Sequence, residues 1–379
     1  MHRLWAALLV FLVLAVGAHA DDMAPGAAYI LIKKVRPGVK EPDGWAADLI
    51  DVLKAQSFPA SRENVCASIA VIDQESNFVA NPAVPGLGKL SEKSLQDKMA
   101  RLPFLGSMVI SYLDSHPAGG LSYLQRIRQA KTEQDLDLTY RAFINDFSTA
   151  SNMSLVLQSG AFNRMIEERN NISTVGSMQV SVRFAIDEAR KKRYLPMTLS
   201  DDYAVRDELY TRRGGLYYGV RQLLGYDSGY IQKIFRFADY NAGRYSSRNA
   251  AFQHIVSTLT NAKLAYDGDL LVYDSDGTAA VPASTTEQAI RDLNQSANLG
   301  LTDRQIRADL VQEKTDDFAL TQTYIKVKTA YLEKTGKPAP YAELPVIDLS
   351  SPKLSHKMTT ASYAQSVNNR YAKCMAVKL

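Results

Sequence analysis

Apolar residues recur three and four apart along almost the whole chain, and this helical spacing is the feature that most restricts what it can fold into. The pattern runs over 45–53 and 64–78, with Phe58-Pro59-Ala60-Ser61 reading as a loop and Ser61 and Asn64 as polar capping candidates. It continues over 94–101, 106–114, 121–131, 134–147 and 153–168, punctuated by Pro103, Pro117-Ala118-Gly119-Gly120 and Thr132. After the polar stretch 168–171 it resumes over 179–191, 200–210, 215–224, 230–242 and 249–260. The best strand signal is Asp269-Leu270-Leu271-Val272-Tyr273, bounded by the turn pairs Asp267-Gly268 and Asp276-Gly277, which predicts a short strand or hairpin on a helical body. Ser284 with Glu287 and Thr302 with Gln305 head two further helices as capping boxes. From Thr335 onward prolines and weak periodicity predict an extended tail, partly disordered, that wraps the domain. The fold class is mainly α. Residues 21–265 form the principal domain with a helical insertion over 90–170, and the hairpin, helices and extension of 266–379 pack on the same domain.

The first twenty residues read as a secretory signal peptide: Arg3, an apolar run from Leu4 to Val16, and Ala18-His19-Ala20 as the cleavage site. The run is shorter than the ~20 residues needed to span a bilayer, and no later stretch would serve as a transmembrane helix. Export is expected, either to the periplasm, which the family resemblance given below favours, or out of the cell. No cysteine lies near the cleavage site to carry a lipid, so the chain is not expected to be a lipoprotein. Cys66 and Cys374 would both enter an oxidising compartment, where they can form a disulfide or remain two buried thiols. The net charge of +4 is spread without long runs of one sign, which does not suggest nucleic-acid binding. His116, His254 and His356 have no Cys or carboxylate partners at metal-ligand spacing, so neither metal nor other cofactor is expected.

Glu75 follows Val71 by four residues and Ile72 by three, and precedes Phe78 by three, so it shares a helix face with apolar side chains. Burial there would keep its carboxyl protonated near neutral pH and able to donate to a glycosidic oxygen. Three segments resemble, in order, the motifs of lysozyme-like lytic transglycosylases: Ile72-Asp73-Gln74-Glu75-Ser76-Asn77-Phe78, Val175-Gly176-Ser177-Met178-Gln179-Val180, and Ala238-Asp239-Tyr240-Asn241-Ala242-Gly243. The resemblance covers roughly residues 60 to 260 and implies a lysozyme-like fold. The interval from Glu75 to Gly176 is longer than in the common soluble members, Ser177 stands for the usual leucine, and Asp239 is an extra residue before the tyrosine. The whole arrangement, including Asn81-Pro82-Ala83-Val84-Pro85-Gly86-Leu87, resembles a family of bacterial envelope proteins without assigned activity, domain of unknown function 1615, some of which are lipoproteins.

The resemblance implies that Glu75 is the catalytic acid and base. Ser76, Met178, Gln179, Tyr240 and Asn241 fall at positions that line or support the sugar-binding groove. Simpler readings put Met178 in the core and make Gly243 a left-handed helix cap. Ordinary glycoside hydrolysis needs two carboxylates. Asp73 lies roughly 200 degrees around the helix from Glu75 and faces elsewhere, which leaves Asp239 as the carboxylate near a motif that could revive hydrolysis. Single-acid cleavage of the MurNAc-GlcNAc bond in peptidoglycan glycan strands, by a lytic transglycosylase or a muramidase, is one expectation. The alternative is a non-catalytic envelope protein that binds glycan or a partner through the same groove.

Overall fold

A computed structural model of the chain describes residues 22–101, 105–117, 119–150, 173–274, 278–349 and 358–379. The signal segment and the helix expected over 153–168 lie outside the described residues. Among those described, sixteen α-helices make up a mainly helical protein, and the strands are two-residue pieces.

Helix α1 (Pro25–Val35) begins on a proline, whose fixed φ suits a first helical turn, and buries Ala28, Leu31, Ile32 and Val35 along one face. It packs on α2 (Pro42–Ala55), which buries Trp45, Leu49, Ile50 and Leu53. Helix α3 (Arg62–Glu75) starts where the Ser61 side chain accepts from the Asn64 amide, and it is buried without a break from Val65 to Asp73. A helix enclosed on every side is the centre of its core.

Residues 87–150 make a layer of their own. Helices α4 (Leu87–Met99), α5 (Leu105–Ser115), α6 (Tyr123–Gln129) and α7 (Glu133–Ala150) close around Leu113, Tyr123 and Leu124, with Leu95, Tyr112 and Phe143 against them. Strands β1 (Thr174–Val175) and β2 (Val180–Ser181) then pair antiparallel, and the Gly176–Gln179 turn joins them. Helices α8 (Val182–Arg190), α9 (Leu199–Leu209), α10 (Arg212–Leu224) and α11 (Lys233–Ala242) complete the first core. Helix α12 (Ser246–Thr260) leads into a second, built with α13 (Thr285–Ser296), α14 (Asp303–Leu310) and α15 (Gln322–Thr335) around Phe252, Ile290, Ile306 and Phe318.

Three expectations need correction. Residues 269–273 form no strand among the described residues; the segment makes one isolated bridge, Tyr273 to Ala279. Two backbone bonds flank that bridge in hairpin fashion, from the Ala280 amide to the Val272 carbonyl at 2.8 Å and from the Asp274 amide to the Thr278 carbonyl at 2.9 Å, while at Leu270 side chains take the backbone groups: its amide donates to Glu313, and the Ser284 hydroxyl donates to its carbonyl at 2.5 Å. At the heads of α13 and α14 the forward caps exist, Ser284 to the Glu287 amide and Thr302 to the Gln305 amide. Glu287 does not reach back to complete a box; it is buried between Arg291 and Arg307.

The largest correction concerns the tail. After the pair β3 (Asp348–Leu349) and β4 (Met358–Thr359), the chain forms α16 (Thr360–Met375), which lies between α3 and α11 in the first core. Its apolar stripe, Tyr363, Ala364, Val367 and Cys374, is short of hydrophobic residues because the same face also carries Ser366 and Arg370. Those two are used rather than solvated: Ser366 donates to Gln74 at 2.9 Å and Arg370 to Asp73 at 2.9 Å. Cys374 forms a disulfide with Cys66 of α3, with the Cα atoms 5.5 Å apart.

A bridge across 308 residues of sequence removes much of the unfolded chain's freedom. Cys374→Ser is expected to lower the unfolding free energy by roughly 2–4 kcal/mol in a denaturant titration, and to leave Cys66 open to alkylation once the chain unfolds.

Candidate functional site

The site is built on the last turn of α3. Asp73 and Glu75 lie two residues apart, and the helix sends them to different surroundings, as their angular separation predicts. Asp73 is buried between two guanidinium groups, Arg36 and Arg370. Glu75 is half-buried and accepts a hydrogen bond on Oε1 from the Tyr363 hydroxyl of α16. Burial pushes the Glu75 carboxyl up from 4.5 to about 7, against the opposing pull of the Tyr363 hydrogen bond and the Arg370 charge. The charge of Glu133 pushes it in the same direction as burial.

Ser76 ends the helix. It is buried, donates to the Ile72 carbonyl at 3.2 Å and accepts from the Val79 amide at 3.3 Å, so it fixes the exit of the chain beside Glu75. The next two residues, Asn77 and Phe78, both have positive φ, 53° and 63°. Such a conformation is costly for Phe, and it holds here because the Phe78 ring is buried edge-on against Trp45 at 5.4 Å.

The Gly176–Gln179 turn stands on a glycine face of α10. A Cβ on Gly176 would meet the Leu209 carbonyl oxygen at 2.2 Å, and its φ is 81°. Gly215 and Gly219, one helical turn apart, leave room for Ser177 and Met178; a Cβ on Gly219 would meet the Met178 sulfur at 2.3 Å. Met178 is therefore a core residue by its side chain, which does not line an open groove. Its carbonyl still serves the site by accepting from the Tyr240 hydroxyl at 2.7 Å. The buried Tyr240 lies close enough to Glu75 for that charge to raise its own pKa.

Gln179 has φ 48° and a fully engaged amide. Its oxygen accepts from Thr174 at 3.2 Å, and its nitrogen donates to the Gly176 carbonyl and to Glu133, each at 3.3 Å. Asn241 is exposed and accepts from Thr360 at 3.3 Å, so it secures the start of α16.

Asp239 faces away from this cluster. One oxygen accepts from the Ser247 amide at 2.7 Å, and the other from the Tyr245 amide and the Tyr226 and Tyr230 hydroxyls at 2.8 to 3.1 Å. It anchors the start of α12, where a carboxylate satisfies otherwise unpaired amides. Burial raises its pKa to about 6 all the same. The structure thus gives the extra residue of the third motif a scaffold task in place of a second-carboxylate one. Gly243 ends α11 at φ 109° and ψ 152°, which glycine tolerates, but which is not the left-handed helical cap expected of it.

Two residues of the site escaped the sequence reading. Tyr363 lay in the stretch read as a tail, although Tyr363, Val367, Arg370 and Cys374 repeat at helical spacing. Glu133 lay at a boundary taken as punctuation; it is the first residue of α7 and is buried. A cavity of about 280 Å³ between α8, α9 and α10 is separate from the cluster, and its Glu188 and Asp201 are already held by arginine and lysine partners. Among the described residues no group of three or more His, Cys, Asp and Glu side chains could hold a metal, and no helix is long and apolar enough to cross a membrane.

Fold and site together define a mainly helical protein with a half-buried glutamate of raised pKa at the end of its central helix. The family model described as "Protein of unknown function (DUF1615)" matches residues 38–377, and the chain belongs to that family. It is 39% identical over 356 residues to "Uncharacterized protein YaiW" of Escherichia coli (strain K12), covering 93% of this chain and 91% of that protein. No solved structure matches it.

Because the folded pKa of Glu75 lies above the ordinary value, the stabilisation gained by holding its proton is complete below about pH 4.5 and is lost as pH rises through about 7. Unfolding free energy measured by urea titration is expected to fall between about pH 5 and 8, with Glu313 and Asp239 contributing in the same direction. Glu75→Gln should remove roughly 1–2 kcal/mol of that fall. Tyr363→Phe, which deletes the hydrogen bond that favours the carboxylate, should move the Glu75 pKa further up in a carboxyl-carbon NMR titration.

Proposed function

We propose that this protein is an exported, periplasmic enzyme with a lysozyme-like core that cuts peptidoglycan glycan strands by single-acid chemistry, in the manner of a lytic transglycosylase. The observation that carries the reading is the company Glu75 keeps. Three segments spread over 165 residues, from Glu75 to Tyr240, and resembling three motifs of one enzyme class, bring a carboxyl of raised pKa, the Gln179 turn and Tyr240 into one cluster.

In this mechanism Glu75 gives its proton to the glycosidic oxygen as the bond from that oxygen to the anomeric carbon of MurNAc breaks. The resulting carboxylate then takes the proton of the same sugar's 6-hydroxyl while that oxygen closes on the anomeric carbon. No water is consumed, Glu75 regains its proton, and the product carries a 1,6-anhydro end. A pKa of about 7 suits a group that must give a proton and then accept one. Tyr363 holds Oε1 and leaves Oε2 as the oxygen to face the sugar. Engagement of both Asp239 oxygens weighs against hydrolysis through that residue.

One observation favours the non-catalytic alternative. Helix α16 covers the acid and already supplies its hydrogen-bond partner, an arrangement that also suits a groove that grips glycan without cutting it.

The test is digestion of purified peptidoglycan by the mature protein, with released muropeptides weighed by mass spectrometry. Anhydro-ended products are expected from the wild type, with Glu75→Gln slower by about 10²-fold or more and wild-type activity declining above about pH 7. Reducing ends would replace the transglycosylase by a hydrolase. Binding to the wall with no release from either protein would replace the enzyme by the binding protein.

A further inference from the structure

Helix α7 reaches the site through Glu133. Helix α7 is fixed at its start: Val84 donates to the Lys131 carbonyl at 2.8 Å, Asn81 donates to Gln134 at 2.8 Å, and Ala83 bridges Thr132. The chain just beyond Glu75 and the first turn of α7 are thus tied together. Glu133 is buried between them, with its carboxylate accepting from the Gln179 amide. Its charge is felt by Glu75 on one side and by Tyr210, at the end of α9, on the other.

We propose that Glu133 is a positioning residue of the site: its carboxylate fixes the Gln179 amide in its left-handed turn and sets a negative charge beside Glu75, so the insertion completes the site. Its catalytic meaning rests on the reading of Glu75 as the acid; its electrostatic meaning does not.

The other groups around Glu75 make the effect of Glu133 separable. From α16, Tyr363 donates to Glu75, and the positive Arg370 is engaged by Asp73. From α11 comes the neutral Tyr240. Around Glu133, Tyr210 is followed by Asp137, which pairs with Arg141 and Arg206. Glu133 is the negative group among the neighbours that act most strongly on Glu75, and like charge nearby disfavours ionisation.

Two near-isosteric changes separate the two tasks. Glu133→Gln keeps an oxygen to accept from Gln179 but removes the charge; Glu133→Asp keeps the charge but draws the carboxyl back from Gln179. In the full mature chain, carboxyl-carbon NMR, with Glu75→Gln used to assign the Glu75 signal, follows its titration. Glu133→Gln is expected to lower the Glu75 pKa by roughly 0.5 to 1 unit and to move the alkaline limb of peptidoglycan cleavage down equally, with KM little changed. Glu133→Asp is expected to raise KM several-fold and leave the titration in place. An unchanged Glu75 titration in Glu133→Gln overturns the proposal, and so does failure of both variants to fold, which would make Glu133 a scaffold residue. A shifted titration in a protein that cuts no peptidoglycan supports the role of Glu133 while removing the proposed reaction.

Discussion

The seam between α3 and α16 is the interaction on which the rest of the site depends. Along it, four successive turns of α16, at Cys374, Arg370, Ser366 and Tyr363, meet α3 through different chemistry: a disulfide at Cys66, ion pairing at Asp73, an amide contact at Gln74 and a phenol on Glu75. The disulfide ties one end, and the other three fix how the helices face each other. Together they fix both rotation and register of α16, and a phenol can meet a carboxyl only if both are set.

Within that seam, two carboxylates on one helix are treated in opposite ways. Asp73 receives two guanidinium partners and ties α1 and α16 to the central helix. Glu75 receives a neutral hydroxyl, and desolvation by burial outweighs that hydrogen bond and the Arg370 charge. One acid is thus tied into the architecture by ion pairs and the other is shifted toward neutrality, a contrast set by surroundings rather than residue type.

Much of the framework could be read from the sequence because it rests on periodic burial. The helix carrying Glu75, its Ser61 cap and the opposed directions of Asp73 and Glu75 all follow from spacing. The losses have physical causes. Helix α16 was obscured because its inward face is partly polar, and Ser366 and Arg370 find partners 292 and 297 residues away that no local window contains. Residues 269–273 looked like a strand because Leu270 and Leu271 are buried, but side chains bond both backbone groups of Leu270, and backbone pairing begins only at Val272. Asp239 stood beside a motif and so suggested chemistry, whereas four donors from the following segments claim its oxygens. Glu133 could not be placed because nothing local ties the start of α7 to the chain beyond Glu75.

The 288 residues between Glu75 and Tyr363 have a topological consequence. Residues 22–349 contain the acid, the Gln179 turn and Tyr240, yet not the phenol, the second guanidinium or the second sulfur. Helix α3 can form as soon as its own segment is available, because its bonds are local. The environment that defines its glutamate is among the more non-local features of the fold, and closing a loop of that length carries an entropic cost that local helical bonds do not. The place of the acid is thus set by neighbouring sequence, and its chemical character by distant parts of the polypeptide that meet only in the fold.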